Sequence, residues 1–287
     1  MPILYVVATP IGNLEDISLR ALRVLREVKL IAAEDTRKTK RLLNAYGIQT
    51  PTTSYHEHNK KDKLDYILHY LKGDDVALVS EAGMPGVSDP GYELIGAASR
   101  AGIPIIPIPG PSAVITALVV SGLPTDRFLY LGFLPRRAGA RRQALNSVAQ
   151  ETGTLVILEA PHRLQSTLGD LQLILGDRQM AVCRELTKLH EEVFRGSISQ
   201  AIARFTQPRG EFTLVIAGKG EEKPDKPDED VAKRLCDLHQ SGTKTKDAIA
   251  IVAGETGLSR RELYRTWLKL NKVTDEKLNP CQSLERS

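Results

Sequence analysis

The sequence predicts an α/β protein of two lobes, each with its own sheet, followed by a small helical module. Three observations predict it. Short apolar runs of strand length recur along residues 1–220, stretches of helical periodicity separate most of them, and the loops that follow the early runs are small, rigid and polar. Both sheets are expected to be mixed or mainly parallel. The expected division is an N-terminal α/β lobe over 1–120, a second α/β lobe over 121–220, a charged linker over 221–230 and a helical module over 231–287.

The elements follow in order. Ile3–Ala8, Leu30–Ala33, Thr52–Tyr55, Val76–Ser80 and Ile103–Ile108 are strand candidates, with helices over Ile17–Val28 and Lys63–Leu71, which is the alternation of a parallel sheet with crossovers. A helix over Ala113–Val120 leads to Ser121-Gly122-Leu123-Pro124-Thr125-Asp126, a lobe connection. Strands are then expected over Phe128–Leu134, Thr154–Glu159, Ala181–Glu185 and Phe212–Ala217, and helices over Arg137–Ala149 and Gln165–Leu175. Glu221–Asp230, charged and without an apolar residue, has the composition of a solvated linker. Beyond it, Thr245–Ala253, the turn Gly257-Leu258-Ser259 and Arg260–Leu270 read as helix, turn and helix, with Leu263, Tyr264, Trp267 and Leu268 grouped on one face.

Composition narrows the function classes. With 41% apolar and 26% charged residues in 287, the chain can bury a substantial core. A formal charge of +4 is too small to signal nucleic acid by itself. Cys183, Cys236 and Cys281 have no metal-site spacing, and a reducing compartment is the simpler expectation. The chain opens on a strand without a basic leader, and no apolar run reaches membrane-spanning length, so a cytoplasmic protein with no membrane partner is expected.

The loops carry the chemistry. Thr9-Pro10-Ile11-Gly12-Asn13, Glu34-Asp35-Thr36-Arg37, Ser80–Gly91 and Pro109-Gly110-Pro111-Ser112 all follow strand candidates, where an open α/β sheet binds ligands. Ser80–Gly91 combines residues that permit close backbone approach with prolines that stiffen it; a turn that only shapes the fold is its structural alternative. It matches neither GxxxxGK[ST] nor a well-formed GxGxxG, which disfavours a nucleotide hydrolase. Ser112 can cap the helix it precedes. Arg37 and Arg41 are i, i+4 neighbours beside Lys40, so one helix surface can hold a phosphate backbone, or can be a solvated face of ion pairs. Arg136, Arg137, Arg141, Arg142, His162, Arg163, Arg184 and His190 are further groups able to grip RNA. His56-Glu57-His58 is too little for a zinc site, and no metal is expected.

Taken in order, TPIGNLED, EDTRKTKRLL, SEAGMPGVSDPG, PGPSA, SGLP, GFLPR, EAPHR and RGEFTLVIAG run from Thr9 to Gly218. This series resembles the ribosomal RNA small subunit methyltransferase I family of the tetrapyrrole-methylase superfamily, and the C-terminal helical module looks like that family's tail. The resemblance implies a two-lobed tetrapyrrole-methylase-like fold, usually homodimeric, with S-adenosyl-L-methionine in the cleft between the lobes. It also implies methylation of the 2′-hydroxyl of a cytidine in the decoding region of 16S ribosomal RNA, with the 30S subunit as the expected partner. The implied cofactor loops are Thr9, Pro10, Ile11 and Gly12; Ser80, Glu81, Ala82, Gly83, Met84 and Pro85; and Pro109, Gly110, Pro111, Ser112 and Ala113. Asp89 is expected to support the second loop or touch substrate. The chain departs from the commoner family pattern at Ala160, where serine is usual, and at Leu186 and Leu189.

Methyl transfer needs an oriented hydroxyl, a proton acceptor and a cation near the developing charge. The expected candidates are Glu34, Asp35 or Glu185 as acceptor or ribose orienter, with Lys188 and Arg37 binding RNA or stabilising charge. Lys244, Lys246, Arg260, Arg261 and Arg265 are candidate contacts of the tail. A small-molecule tetrapyrrole methylase and a DNA-reading repressor stay open as alternatives.

Overall fold

A computed structural model describes residues 1–220, 229–260, 263, 264 and 266–268. The chain forms two compact units, Met1–Lys219 and Gly220–Ser287. The first contains two five-stranded sheets.

The first sheet is formed by β1 (Leu4–Val7), β2 (Leu30–Ala33), β3 (Thr52–Ser54), β4 (Val76–Val79) and β5 (Ile105–Ile108), in the order β3-β2-β4-β1-β5. Every pairing is parallel. Parallel strands need crossovers, which bury both faces and explain the continuous apolar runs. Val7, Ile31, Ala33, Ala77, Val79 and Ile108 face a core with α1 (Leu19–Glu27) and α2 (Thr36–Ala45). Leu4, Leu30, Ala32, Val76 and Leu78 alternate onto the other face, against α3 (Lys60–Tyr70) and α4 (Tyr92–Arg100). The chain therefore leaves β1 toward one face and β4, its neighbour, toward the other. Divergence of adjacent connections opens a crevice at the carboxyl ends of those strands.

The helix α5 (Ala113–Ser121) is apolar nearly all round. Its Ala117 and Leu118 are buried with Val156, Ala181, Cys183 and Val215 of the second sheet, which ties the lobes together. That sheet comprises β6 (Phe128–Phe133), β7 (Thr154–Glu159), β8 (Gln179–Arg184), β9 (Glu192–Ser197) and β10 (Phe212–Ile216), ordered β6-β7-β10-β8-β9. It is mixed: β6 and β7 are parallel, whereas β10 is antiparallel to both β7 and β8, and β9 is antiparallel to β8. One face packs Leu155, Ile157, Val182, Leu214 and Ile216 beneath α6 (Ala138–Ser147), α7 (Leu164–Leu175) and α8 (Ile198–Arg204).

The α/β class and its two sheets match the sequence expectation, with β9 as an addition. Its EVFRGS sequence has little apolar content because it is an edge strand, where polar residues are tolerated. Arg141 is not a surface group as its charge suggested. It is 5% exposed, and its guanidinium and that of Arg142 both hold Asp170, at 2.7 Å from each Nε.

In the second unit, α9 (Glu229–Gln240) begins inside the segment read as linker, and α10 (Thr245–Thr256) ends on Gly257 in the left-handed conformation. Val231, Leu235, Ile249, Val252, Leu263 and Trp267 form its core. Leu263 and Trp267 are buried while Tyr264 and Leu268 stay exposed, so the expected apolar face contributes only one of its two i, i+4 pairs. Arg261, Arg265, Cys281 and most of the expected linker lie outside the described residues. No described helix is long and apolar enough to cross a membrane.

Candidate active site

The order β4-β1-β5 gathers three loops at one sheet edge: residues 9–13 after β1, 80–91 after β4 and 109–112 after β5. A bridge joins the first two, Thr9 and Gly83 each donating its amide to the other's carbonyl at 2.9 Å. Gly83 makes that bridge at φ +80°, a conformation strained for any residue with a Cβ. Ser80 is buried and donates its hydroxyl to the Ala82 and Gly83 carbonyls, which stiffens the turn from inside.

Two cavities adjoin at this edge. One, about 400 Å³, lies between the lobes. Ile11, Met84, Val87, Val114, Phe133 and Leu186 supply apolar walls, and Asp89, Ser112, Tyr130 and Thr213 supply polar groups. The other, about 460 Å³, is lined by Thr9, Pro10, Gly12, Thr39, Ser80 and a set of charges, Lys38, Arg41 and Lys188. Ile11, Glu81, Ala82 and Glu211 are on the walls of both.

The lobes touch tightly beside this shared wall. The Asn13 amide donates to the Thr187 hydroxyl at 3.0 Å. A Cβ on Gly12 would overlap Lys188 Cγ and lie 3.0 Å from the Leu186 carbonyl, so glycine is what lets the 9–13 loop close against the segment after β8. That segment is strained: Glu185 and Thr187 have φ of +50° and +66°, and Ser88 across the cleft has +63°. Such conformations cost on the order of 1–3 kcal/mol each and concentrate at functional sites.

Electrostatics differ around the cleft. Burial pushes the Asp89 carboxyl up to about 7; repulsion from Glu34 and Glu81 adds to this and a Ser80 hydrogen bond opposes it. At Lys188 burial works against the charge, but hydrogen bonds to Glu211 at 2.9 Å and Glu185 at 3.0 Å outweigh it and raise the ammonium above its ordinary value. Lys188 is thus a fixed cation. Glu185 is held below the usual carboxylate range, first by the Glu211 amide at 2.8 Å and then by Lys188.

Of the sequence-derived candidates, Thr9, Pro10, Ile11, Gly12, Ser80, Glu81, Ala82, Gly83, Met84, Asp89, Ser112 and Ala113 line one cavity or both, as do Arg41 and Lys188. Pro85, Pro109, Gly110 and Pro111 belong to the same loops and are on neither wall. Glu34 accepts the Glu81 amide at 3.0 Å. Asp35 caps α2 through the Arg37 and Lys38 amides, and the Arg37 guanidinium holds its carboxyl low. Arg37 and Lys40 are exposed on α2. Arg163 donates to the Leu134 carbonyl at 2.7 Å, and Arg184 to the Arg209 carbonyl at 2.7 Å, so both brace backbone. Arg136, Arg137, His162 and His190 are exposed and on neither wall.

Sequence reasoning missed Tyr130, Phe133, Leu158, Cys183, Glu211 and Thr213, from strands of the second sheet or their ends, and also Lys38 of α2 and Val114 of α5. Phe133, an exposed aromatic on a strand, was the available signal. Among the described residues no His, Cys and carboxylate cluster is arranged to hold a metal.

The signature of the tetrapyrrole (corrin/porphyrin) methylases matches residues 3–202, and that of the RsmI C-terminal HTH domain matches residues 225–271. The chain is 48% identical over 273 residues to the ribosomal RNA small subunit methyltransferase I of Halalkalibacterium halodurans, covering 92% of this chain and 94% of that one. It is 50% identical over 275 residues to the protein of the same name from Synechocystis sp., covering 94% and 99%. Among solved structures, the uroporphyrin III C-methyltransferase of Thermus thermophilus superposes with a TM-score of 0.55 at 19% identity, over 75% of this chain and 97% of that one, a likeness of fold.

Proposed function

This chain belongs to the ribosomal RNA small subunit methyltransferase I family of the tetrapyrrole methylases, and from that premise we propose that it transfers a methyl group from S-adenosyl-L-methionine to the ribose 2′-hydroxyl of a cytidine in the decoding region of 16S ribosomal RNA. The observation that carries the reading is the pair of adjoining cavities, one largely apolar and one cationic, that share the wall of Ile11, Glu81, Ala82 and Glu211.

The apolar cavity fits the cofactor in size and chemistry. Its volume falls within the usual range for small-molecule sites, roughly 300–1,000 Å³. A nucleoside carrying positive charge suits apolar walls interrupted by carboxylates and hydroxyls: Ile11, Met84, Val114 and Leu186 would hold the flat and aliphatic parts, with Asp89, Ser112 and Thr213 taking the polar ones. When bound, the cofactor supplies an electrophilic methyl on a sulfonium centre.

The charged cavity would take the acceptor. Lys38, Arg41 and Lys188 line it, and Arg37 and Lys40 extend the same positive helix outward, where phosphates of an RNA strand can be neutralised. Arg136, Arg137, His162 and His190 are further exposed contacts for that strand. Lys188, on the wall of this cavity, is the group we assign to steady the ribose oxygen as its proton leaves, since a fixed cation in a partly dry cleft stabilises developing negative charge. Glu34, Asp35 and Glu185 orient this machinery through the Glu81 amide, the start of α2 and the Lys188 ammonium. The reading includes a cytoplasmic homodimer acting on RNA within the 30S subunit, with the tail module contacting RNA through Lys244, Lys246 and Arg260.

Transfer of labelled methyl to 30S subunits, naked ribosomal RNA and tetrapyrroles, followed by nucleoside analysis, tests it. A 2′-O-methylcytidine product is expected. Label on a base, or on the tetrapyrrole alone, would overturn the reading.

A further inference from the structure

The shared wall singles out one carboxylate. Methyl transfer joins an atom held in one cavity to an atom held in the other, so the groups beside the reacting pair must belong to both. Only two ionisable residues do, Glu81 and Glu211. Each has a lysine partner: Glu81 pairs with Lys38 of α2, whereas Glu211 pairs with Lys188, the lysine against which the 9–13 loop closes, and is the more exposed of the two. The other carboxylates nearby are engaged or set aside: Glu34 and Glu185 accept backbone amides, Asp35 caps α2, Asp89 lines the apolar cavity alone, and Glu159 is buried with the Thr167 hydroxyl donating to it at 2.6 Å.

Glu211 differs from all of these. It follows the turn into β10, where the Glu185 carboxylate accepts its amide and fixes its backbone. Among the described residues its carboxylate has one ion-pair partner, Lys188 at 2.9 Å, and its side chain is 77% exposed, which leaves oxygen lone pairs unblocked and a path for a proton to solvent. Lys188 cannot itself serve as acceptor, because two carboxylates hold its proton in place.

We propose that Glu211 is the catalytic proton acceptor for the ribose hydroxyl, with Lys188 beside it as the cation that steadies the oxygen. The proposal rests on the 2′-O-methylation reading above. Atoms and electrons balance: an O2′ lone pair forms the new bond to carbon, the pair of the methyl–sulfur bond returns to sulfur, and the O2′ proton passes to a Glu211 oxygen and on to water. The titratable groups around Glu211 are Lys188 and Glu185 from the segment after β8, Glu81, Lys38 and Arg41 on the charged cavity, and Asp89, Tyr130, Glu159 and Cys183 on the apolar one.

The test is single-turnover methylation of 30S subunits at saturating cofactor across pH, with E211Q and E211D, alongside calorimetric titration of S-adenosyl-L-methionine and a thermal midpoint for each variant. For E211Q, an unchanged midpoint is expected, with a rate at saturating cofactor about 10²–10⁴-fold lower, the usual share of a general base. Its rate should climb with pH as hydroxide takes over, and E211D should recover part of the loss. An E211Q rate equal to wild type would overturn the proposal, as would a lowered rate that keeps the wild-type pH profile, which is the mark of a group that only positions Lys188. Absence of 2′-O-methylation by the wild type would instead refute the underlying reading.

Discussion

The two lobes contribute different kinds of residue to the same cleft. The parallel lobe supplies stiff loops, 9–13, 80–91 and 109–112, rich in glycine, proline and small residues and locked by the Thr9–Gly83 bridge and the buried Ser80, with Ile11, Met84 and Val87 on them and Lys38 and Arg41 on α2 among its wall side chains. The mixed lobe supplies side chains, Tyr130, Phe133, Lys188, Glu211 and Thr213, presented from strand ends. Rigid backbone can define the shape of a pocket, but charge and aromatic surface must come from side chains. A cleft between unlike lobes lets shape and chemistry be set separately.

If that division holds, a change in one cavity leaves the other's ligand undisturbed. The largest effect is expected at Lys188→Met. Loss of a preorganised charge at a transition state typically costs about 10²–10³ in rate, so single-turnover methyl transfer should fall by that amount while calorimetry finds cofactor affinity intact. Next comes Phe133→Ala on the apolar wall. Loss of the ring should weaken cofactor affinity by roughly tenfold, or about 1.4 kcal/mol, with the transfer rate at saturating cofactor preserved.

How far the division was legible differs between the lobes. The loops of the parallel lobe were visible because glycine and proline at strand ends have few other reasons to cluster, as in Ser80–Gly91. Their convergence was not, since the order β4-β1-β5 is a long-range fact. The second lobe was harder to read. Thr213 and Val215 alternate with Leu214 and Ile216 along β10, and only the packing of α5 on one face and α6–α8 on the other decides which pair meets the cleft. Glu211 looked like one surface carboxylate among many until the fold set it on both walls. Arg141 misled in the opposite sense, its charge being spent on Asp170.

A smaller effect sharpens the comparison through pH. Burial, and repulsion from Glu34 and Glu81, put the Asp89 carboxyl near 7, so its proton-bound form is favoured in the folded chain. That contribution to stability is complete below the ordinary carboxylate value and is lost as pH rises through about 7. Asp89→Asn should therefore gain in melting temperature on wild type as pH rises from the ordinary carboxylate value to about 7, and keep a constant lead above it. Cofactor affinity should behave in reverse, because a cationic ligand favours the ionised carboxylate: wild type should tighten with pH, by at most about tenfold per unit, up to about 7 and level off above it, and Asp89→Asn should stay flat. The smallest effect belongs to Arg37, 87% exposed on α2. Arg37→Ala should weaken RNA binding several-fold and lower the salt slope of its affinity by about one, without altering cofactor titrations.

Titrations of Lys188→Met and Phe133→Ala with S-adenosyl-L-methionine and with 30S subunits, joined to single-turnover methylation by each, test the division of labour most directly. The expected result is a clean crossing: Phe133→Ala loses cofactor affinity and keeps RNA affinity, while Lys188→Met keeps cofactor affinity and loses methyl transfer. A Lys188→Met protein that no longer binds the cofactor, together with a Phe133→Ala protein that binds it as wild type does, would contradict the assignment of the two cavities.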